Sequence, residues 1–192
     1  MIPDHKITST PVASEYFYDK PNTKLIDRTL GGIAIQDTSE GIDYQVWEIY
    51  YESPFIKIKG LTTGVVVILE EVQNVSELSL AFDLNMNIAY TYVVGDKSYL
   101  RYYDTTTQTL QTMELIHCKS PRLTYDDLRS MQNQVSDIVC AYINVSNNTL
   151  CYRLLRDRYT IEHTLQEVPE NARLIRIGMT EGLRLQFKMQ LI

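Results

Sequence analysis

An all-β fold of repeated antiparallel four-stranded sheets, propeller-blade-like or sandwiched, is the class this sequence predicts, and three observations predict it. The 14 tyrosines, with many Val, Ile and Thr, suit a pleated, half-buried surface. Several stretches alternate apolar and polar side chains with a period of two, which is the geometry of a strand. Part of the pattern also recurs after about fifty residues, a spacing found in blade-like arrays.

The elements follow in chain order. Residues 1–30, "MIPDHKITSTPVASEYFYDKPNTKLIDRTL", contain three prolines and no sustained period, and read as an extended arm. Ordering such an arm costs backbone entropy, so the expectation is that it clasps a neighbouring subunit. Residues 31–72 read as a first β-sheet region: "DYQVWEIYY" (43–51) and "FIKIK" (55–59) alternate on either side of Ser53-Pro54. "VVVIL" (65–69) does not alternate, and the expectation is a strand covered on both faces. Residues 73–192 read as a β-domain holding two blade-like repeats (78–115 and 121–165) and closing strands over 173–191.

The repeat rests on a gapless overlay of 88–115 on 138–165, with matches at Ile88/Ile138, Tyr92/Tyr142, Leu100/Leu150, Tyr102/Tyr152 and Leu115/Leu165. A short strand ending in aspartate precedes each copy, "LAFD" at 80–83 and "LTYD" at 123–126. In the second copy "DIVCAYI" is a strand, "NVSNN" a turn, "TLCYRLL" the next strand, and "RDRYTIEHTL" turns through Arg156, Asp157 and Arg158 into the last. The one stretch with helical character, "YDDLRSMQNQ" (125–134), is short and is equally compatible with a loop. In the closing stretch "LRLQFKMQL", Leu183, Leu185, Phe187, Met189 and Leu191 share one face, and Arg184, Gln186, Lys188 and Gln190 the other.

Charge and motif content narrow the function. A formal charge of −6 and charged residues spread through the chain disfavour generic binding to nucleic acid. No signal-peptide core opens the chain, and "GVVVIL" (64–69) is too short to cross a bilayer, so synthesis in a cytoplasm without membrane insertion is expected. Cys118, Cys140 and Cys151 form no CxxC pair and read as free, mostly buried thiols. "DLNMN" (83–87) begins like a calcium loop but has Ile88 where the glycine belongs and Val94 where the bidentate glutamate belongs; an Asx turn is the simpler reading. His5, His117 and His163 are scattered, and adjacent acids such as Asp126-Asp127 or Glu70-Glu71 face opposite ways on a strand. No catalytic, metal or cofactor site is therefore expected, and the chain does not read as an enzyme.

The candidate functional residues are surface charges. Arg101, Arg153, Arg156, Asp157 and Arg158, with Asp126 and Asp127, are candidate interface positions, the arginines pairing with acids such as Asp126, Asp127 or Glu48 of the same or a neighbouring subunit. Tyr50, Tyr51, Tyr90, Tyr92, Tyr99, Tyr102 and Tyr103 are candidates for a sugar-binding surface, weighed against roles in the core or in cross-strand pairs.

A resemblance adds to this reading. The run "SPRLTYDDLRSMQNQVSDIVCAYINVSNNTLCYRLLRDRYTIEHTL" with "RIGMTEGLRLQF", preceded by "IAYTYVVGDKSYLRYYDTTTQTL", resembles a family of uncharacterised structural proteins encoded in the virion modules of tailed bacteriophages. It covers 78–190 and departs from the family pattern at Leu154-Leu155, where a pair of glutamines is usual. The resemblance implies a component of the phage tail or its nozzle, assembling as an oligomeric ring with copies of itself and other virion proteins in the host bacterial cytoplasm. The alternative is a carbohydrate-binding or receptor-contacting module at the tail tip, with a host surface glycan as partner.

Overall fold

The computed structural model describes residues 6–9, 31–38, 41–61, 63–83, 85–126, 137–179 and 185–192; at 6–9, 31–38, 41–46, 126 and 179 it describes the backbone alone. The short candidate helix lies, apart from its first two residues, outside the described residues, as do Asp127, Leu183, Arg184 and most of the 1–30 arm.

The fold is all-β, as the sequence predicts, and runs as four sheets in chain order. β1 (Lys6–Ser9) comes first and joins the last sheet. The first sheet is β2 (Gly31–Thr38), β3 (Gly41–Glu52), β4 (Phe55–Gly60) and β5 (Val66–Glu71). The second is β6 (Val75–Phe82), β7 (Ile88–Val94), β8 (Lys97–Asp104) and β9 (Thr109–Leu115). The third is β10 (Cys118–Asp126), β11 (Asp137–Asn144), β12 (Thr149–Leu154) and β13 (His163–Glu167), with a 3₁₀ turn at Leu155–Asp157. The fourth pairs β14 (Ala172–Met179) with β15 (Leu185–Leu191) antiparallel, and β1 adds to β15 in parallel.

Each of the first three sheets is a simple antiparallel meander in sequence order. Hairpins require only short turns, and the turn residues here fit: Gly95 takes φ +61° in the two-residue connection between Val94 and Lys97, a conformation that costs glycine nothing. The first strands of successive sheets pack on one another, β2 on β6, β6 on β10 and β10 on β14, so the sheets follow each other like blades.

Between the sheets lie three apolar cores. Ile49, Ile56 and Ile58 of the first sheet meet Leu80, Tyr90 and Tyr92 of the second. Leu100, Tyr102 and Leu115 of the second meet Leu123, Cys140 and Tyr159 of the third. Val139, Ile143 and Leu154 of the third meet Leu174, Leu185 and Phe187 of the fourth. A fully buried side chain of this size contributes roughly 1.5–3 kcal/mol, so these layers dominate the stability. The tyrosines belong largely to them: Tyr90, Tyr142 and Tyr159 are fully buried, and Tyr92 stacks on Tyr99 with ring centroids 5.1 Å apart. All three cysteines are buried and free, and burial pushes their thiols up, that of Cys140 to about 12, so they stay protonated and unreactive.

Two sequence expectations are corrected. "VVVIL" is not covered: β5 is the outer edge of its sheet, hydrogen-bonded only to β4, and Val65, Val66, Val67 and Ile68 are 40–58% exposed. An unbroken apolar run marks a strand with no polar face, and that describes an apolar edge as well as a buried centre. The overlay of the two repeats also slips. The β7–β8 hairpin joins Val94 to Lys97, whereas the β11–β12 hairpin joins Asn144 to Thr149 across a longer loop. Ile88/Ile138 and Tyr92/Tyr142 therefore stay in register, but on the second strand Arg101 matches Arg153 and Tyr102 matches Leu154. A slip of two residues preserves the face of every side chain, which is why the pattern survived the misalignment. On β15, Leu185, Phe187 and Met189 enter the core as expected, and Lys188 on the opposite face is 9% exposed.

Candidate functional site

The sequence-predicted arginines all sit in the second and third sheets, and each meets a carboxylate. Their partners are Glu70, Glu162, Asp137 and Asp104. Asp126 ends β10 opposite Asp137, and Asp157 is half-buried in the 3₁₀ turn.

Arg101 and Arg153, equivalent in the two repeats, build the same clamp. Arg101 Nε lies 3.3 Å from Glu70 Oε2 and donates to the Tyr90 hydroxyl at 3.4 Å, while that hydroxyl donates to Glu70 at 3.0 Å. Arg153 Nε donates to the Tyr142 hydroxyl at 2.7 Å, Tyr142 donates to Glu162, and Arg153 Nη2 donates to Glu162 at 3.3 Å. The two differ in both partners: Tyr90 stands directly opposite Arg101, whereas Tyr142 lies two residues beyond Cys140, the residue opposite Arg153, and the acids come from different places. Glu70 reaches over from β5 and ties the first sheet to the second, whereas Glu162 comes from the connection between β12 and β13. Arg153 Nη1 also donates to the Tyr159 carbonyl at 2.7 Å, and at 21% side-chain exposure it is a half-buried strut, not a solvated charge.

Arg156 lies within the 3₁₀ turn and Arg158 caps it. The backbone N–H and Nε of Arg156 both engage the Asp137 carboxylate, the latter at 2.8 Å. Arg158 Nε lies 3.3 Å from Asp104 Oδ2, and Asp104 Oδ1 accepts the Thr106 N–H at 2.8 Å. On the facing loop the Asp83 carboxylate accepts the N–H groups of Asn85 and Asn87, each at 2.8 Å, and the Asn87 side-chain amide; this is an Asx turn. Among the described residues no group of His, Cys, Asp and Glu is arranged to hold a metal ion.

Protonation follows from these contacts. The Thr106 amide first, then Arg158, hold Asp104 below the usual carboxylate range. Burial alone would raise Glu162, but Tyr142, Asn144 and Arg153 together hold it low. Burial raises Asp137, against the pull of Arg156. Burial, offset in part by the Arg partners, also raises Tyr90 and Tyr142, so both stay protonated near neutral pH. Near neutrality these groups hold positions and do not exchange protons.

The pH dependence of stability has a definite sign. Glu162 and Asp104 have folded values below their unfolded ones, so their contribution is present above the ordinary carboxylate range and lost as pH falls through the depressed values. Asp137 has the opposite sign and offsets part of that loss. Thermal unfolding followed across acid pH is expected to show a declining midpoint below about pH 4, with a shallower decline in Glu162→Gln. Equal slopes for both proteins would remove Glu162 from the account.

One cluster escaped the sequence reading. Arg122 Nη1 lies 2.7 Å from Glu77 Oε2 as a charge contact without the alignment of a hydrogen bond, and its Nε donates to the Ile175 carbonyl at 3.0 Å. Arg173 Nη2 meets Glu77 Oε1 at 3.0 Å. The cluster thus joins β6, β10 and β14, the first strands of three sheets. The irregularity in β10 between Lys119 and Arg122, with Ser120 at φ +53°, marks where the strand turns this side chain inward. An arginine directly after proline, inside the strand "CKSPRLTYD", was the available signal.

Together these features define a class: successive antiparallel sheets tied across their seams by arginine–carboxylate contacts. Compared with known protein families, curated proteins and solved structures, the chain finds no match. No helix among the described residues is long and apolar enough to cross a membrane.

Proposed function

We propose that the protein is a structural component that assembles by protein–protein contacts, specifically a tail, nozzle or tail-adaptor subunit forming an oligomeric ring in a bacteriophage virion. The observation that carries this reading is β5. A sheet edge offers unpaired N–H and C=O groups to another chain, and proteins ordinarily blunt such edges with charge. Here the edge carries Val66, Val67 and Ile68, all well exposed, next to exposed Val65 and Leu61. A continuous apolar edge of this kind suits strand addition by a second copy of the chain. Its two acids, Glu70 and Glu71, sit at one end. Antiparallel pairing of two such edges about Val67 and Ile68 sets each pair of acids opposite the partner's uncharged end, whereas parallel pairing would stack acid on acid; this two-fold contact joins copies in pairs, and a ring adds a second, head-to-tail contact between the pairs. The resemblance of residues 78–190 to the phage structural family is what suggests the virion as the place of assembly.

Size-exclusion chromatography with light scattering tests it. The chain is expected to form a concentration-dependent multimer, and Ile68→Lys is expected to shift it to monomer without changing the thermal midpoint measured at a concentration where both proteins are monomeric, because Ile68 is 58% exposed. A chain that stays monomeric at every concentration, alone and with the other tail proteins, would end the proposal.

A further inference from the structure

The turns at one end of the second and third sheets enclose a cleft of about 280 Å³ that neither the sheet scaffold nor the β5 edge requires. Three segments bring it together: the Asx turn after β6 contributes Asp83, the end of β8 contributes Tyr103 and Asp104, and the 3₁₀ turn after β12 contributes Arg156 and Arg158. We propose that this cleft is a binding site for a neutral saccharide of one or two sugar units.

The charges decide the class of ligand. Two guanidiniums and two carboxylates line the same small space, so an anion meets Asp83 and Asp104 and a cation meets Arg156 and Arg158. A neutral polyol meets neither penalty. Both arginines are seated through Nε, on Asp137 and Asp104, and no partner is found for their Nη nitrogens among the described residues. Each therefore has further guanidinium N–H donors beside a carboxylate acceptor. Vicinal hydroxyls, each able to donate and accept, match that alternation. Half-buried Tyr103 and Leu155 supply apolar surface for the C–H face of a sugar ring, and the volume lies just below that of drug-sized pockets, as suits so small a ligand.

The backbone is held for this arrangement. Arg158 has φ +50° and ψ +35°, and Tyr159 has φ +57°, two successive left-handed residues with bulky side chains. Such conformations are unfavourable for these residues and persist where the surroundings enforce them, commonly at ligand sites. The result is that Arg158 lines the cleft while Tyr159 packs edge-on against Tyr102 beneath it, with ring centroids 5.0 Å apart.

The full chain is tested by NMR titration with maltose, lactose and cellobiose, with sialyllactose as the acidic counterpart. At least one neutral disaccharide is expected to bind in the millimolar range, more tightly than sialyllactose. Arg158→Gly is expected to weaken that binding at least tenfold while the chain stays folded, since glycine accepts the left-handed conformation and so offsets part of the loss of the Asp104 contact. Tyr103→Leu, which keeps apolar volume on the strand, is expected to weaken it as well. A folded wild-type chain that binds none of the three, tighter binding of sialyllactose, or undiminished binding by folded Arg158→Gly would each overturn the proposal. None of these outcomes bears on assembly through β5.

Discussion

Arg122→Ala is expected to cost about 3 kcal/mol of stability, the lower end for breaking a buried ion pair, and to lower the thermal midpoint by about 6–12 °C in a domain of this size. The side chain is 7% exposed and contacts two strands distant in sequence as well as its own: it meets Glu77 of β6, donates to the Ile175 carbonyl of β14 at 3.0 Å, and donates to the adjacent Pro121 carbonyl at 2.8 Å. Alanine would strand the Glu77 carboxylate with Arg173 as its remaining counter-charge and leave a void at the meeting of three sheets. Charge, not shape, is the larger part of that cost. Replacing both members by apolar residues, Arg122→Met with Glu77→Leu, is therefore expected to recover most of the loss, because Arg173 is 39% exposed and reaches water when its partner is gone. Chemical denaturation of the two single variants and the double variant forms a closed cycle. Additive losses would mean that Arg122 and Glu77 do not act as a unit.

The contrast between Arg122 and the other arginines indicates what a sequence can carry. Alternation along β4 and β15 was legible because a half-buried strand imposes a period of two on its own residues. The Asx turn at Asp83 was legible because its bonds reach only as far as Asn87. The partners of Arg101, Arg153, Arg156 and Arg158 were not, since each carboxylate is set by packing between loops or sheets: Glu70 is 31 residues from Arg101 and Asp104 is 54 from Arg158. The cleft was illegible for the same reason, as it draws on three segments joined only by the fold. Position in a sheet is equally silent. "VVVIL" and "DIVCAYI" are both apolar runs, yet every residue of β11 is buried between two neighbours while β5 lies at an edge.

That last distinction yields the second large prediction. Phe187→Ala is expected to cost about 3–5 kcal/mol, whereas Ile68→Ala, which also truncates a large apolar side chain on a strand, is expected to fall within about 0.5 kcal/mol of wild type. Phe187 is fully buried on β15, in the layer with Val139, Ala141, Leu174, Ile177 and Met189, and its strand is flanked by β14 on one side and β1 on the other. Truncation there opens a cavity that neighbours held by strand pairing on both sides cannot collapse to fill. Ile68 is 58% exposed, and its loss removes apolar surface that water already reaches. Equilibrium unfolding in urea, run at a protein concentration where the chain is monomeric, separates the two without interference from assembly. A large loss from Ile68→Ala under those conditions would mean that β5 is covered within the monomer, and the edge would no longer be free for a second copy.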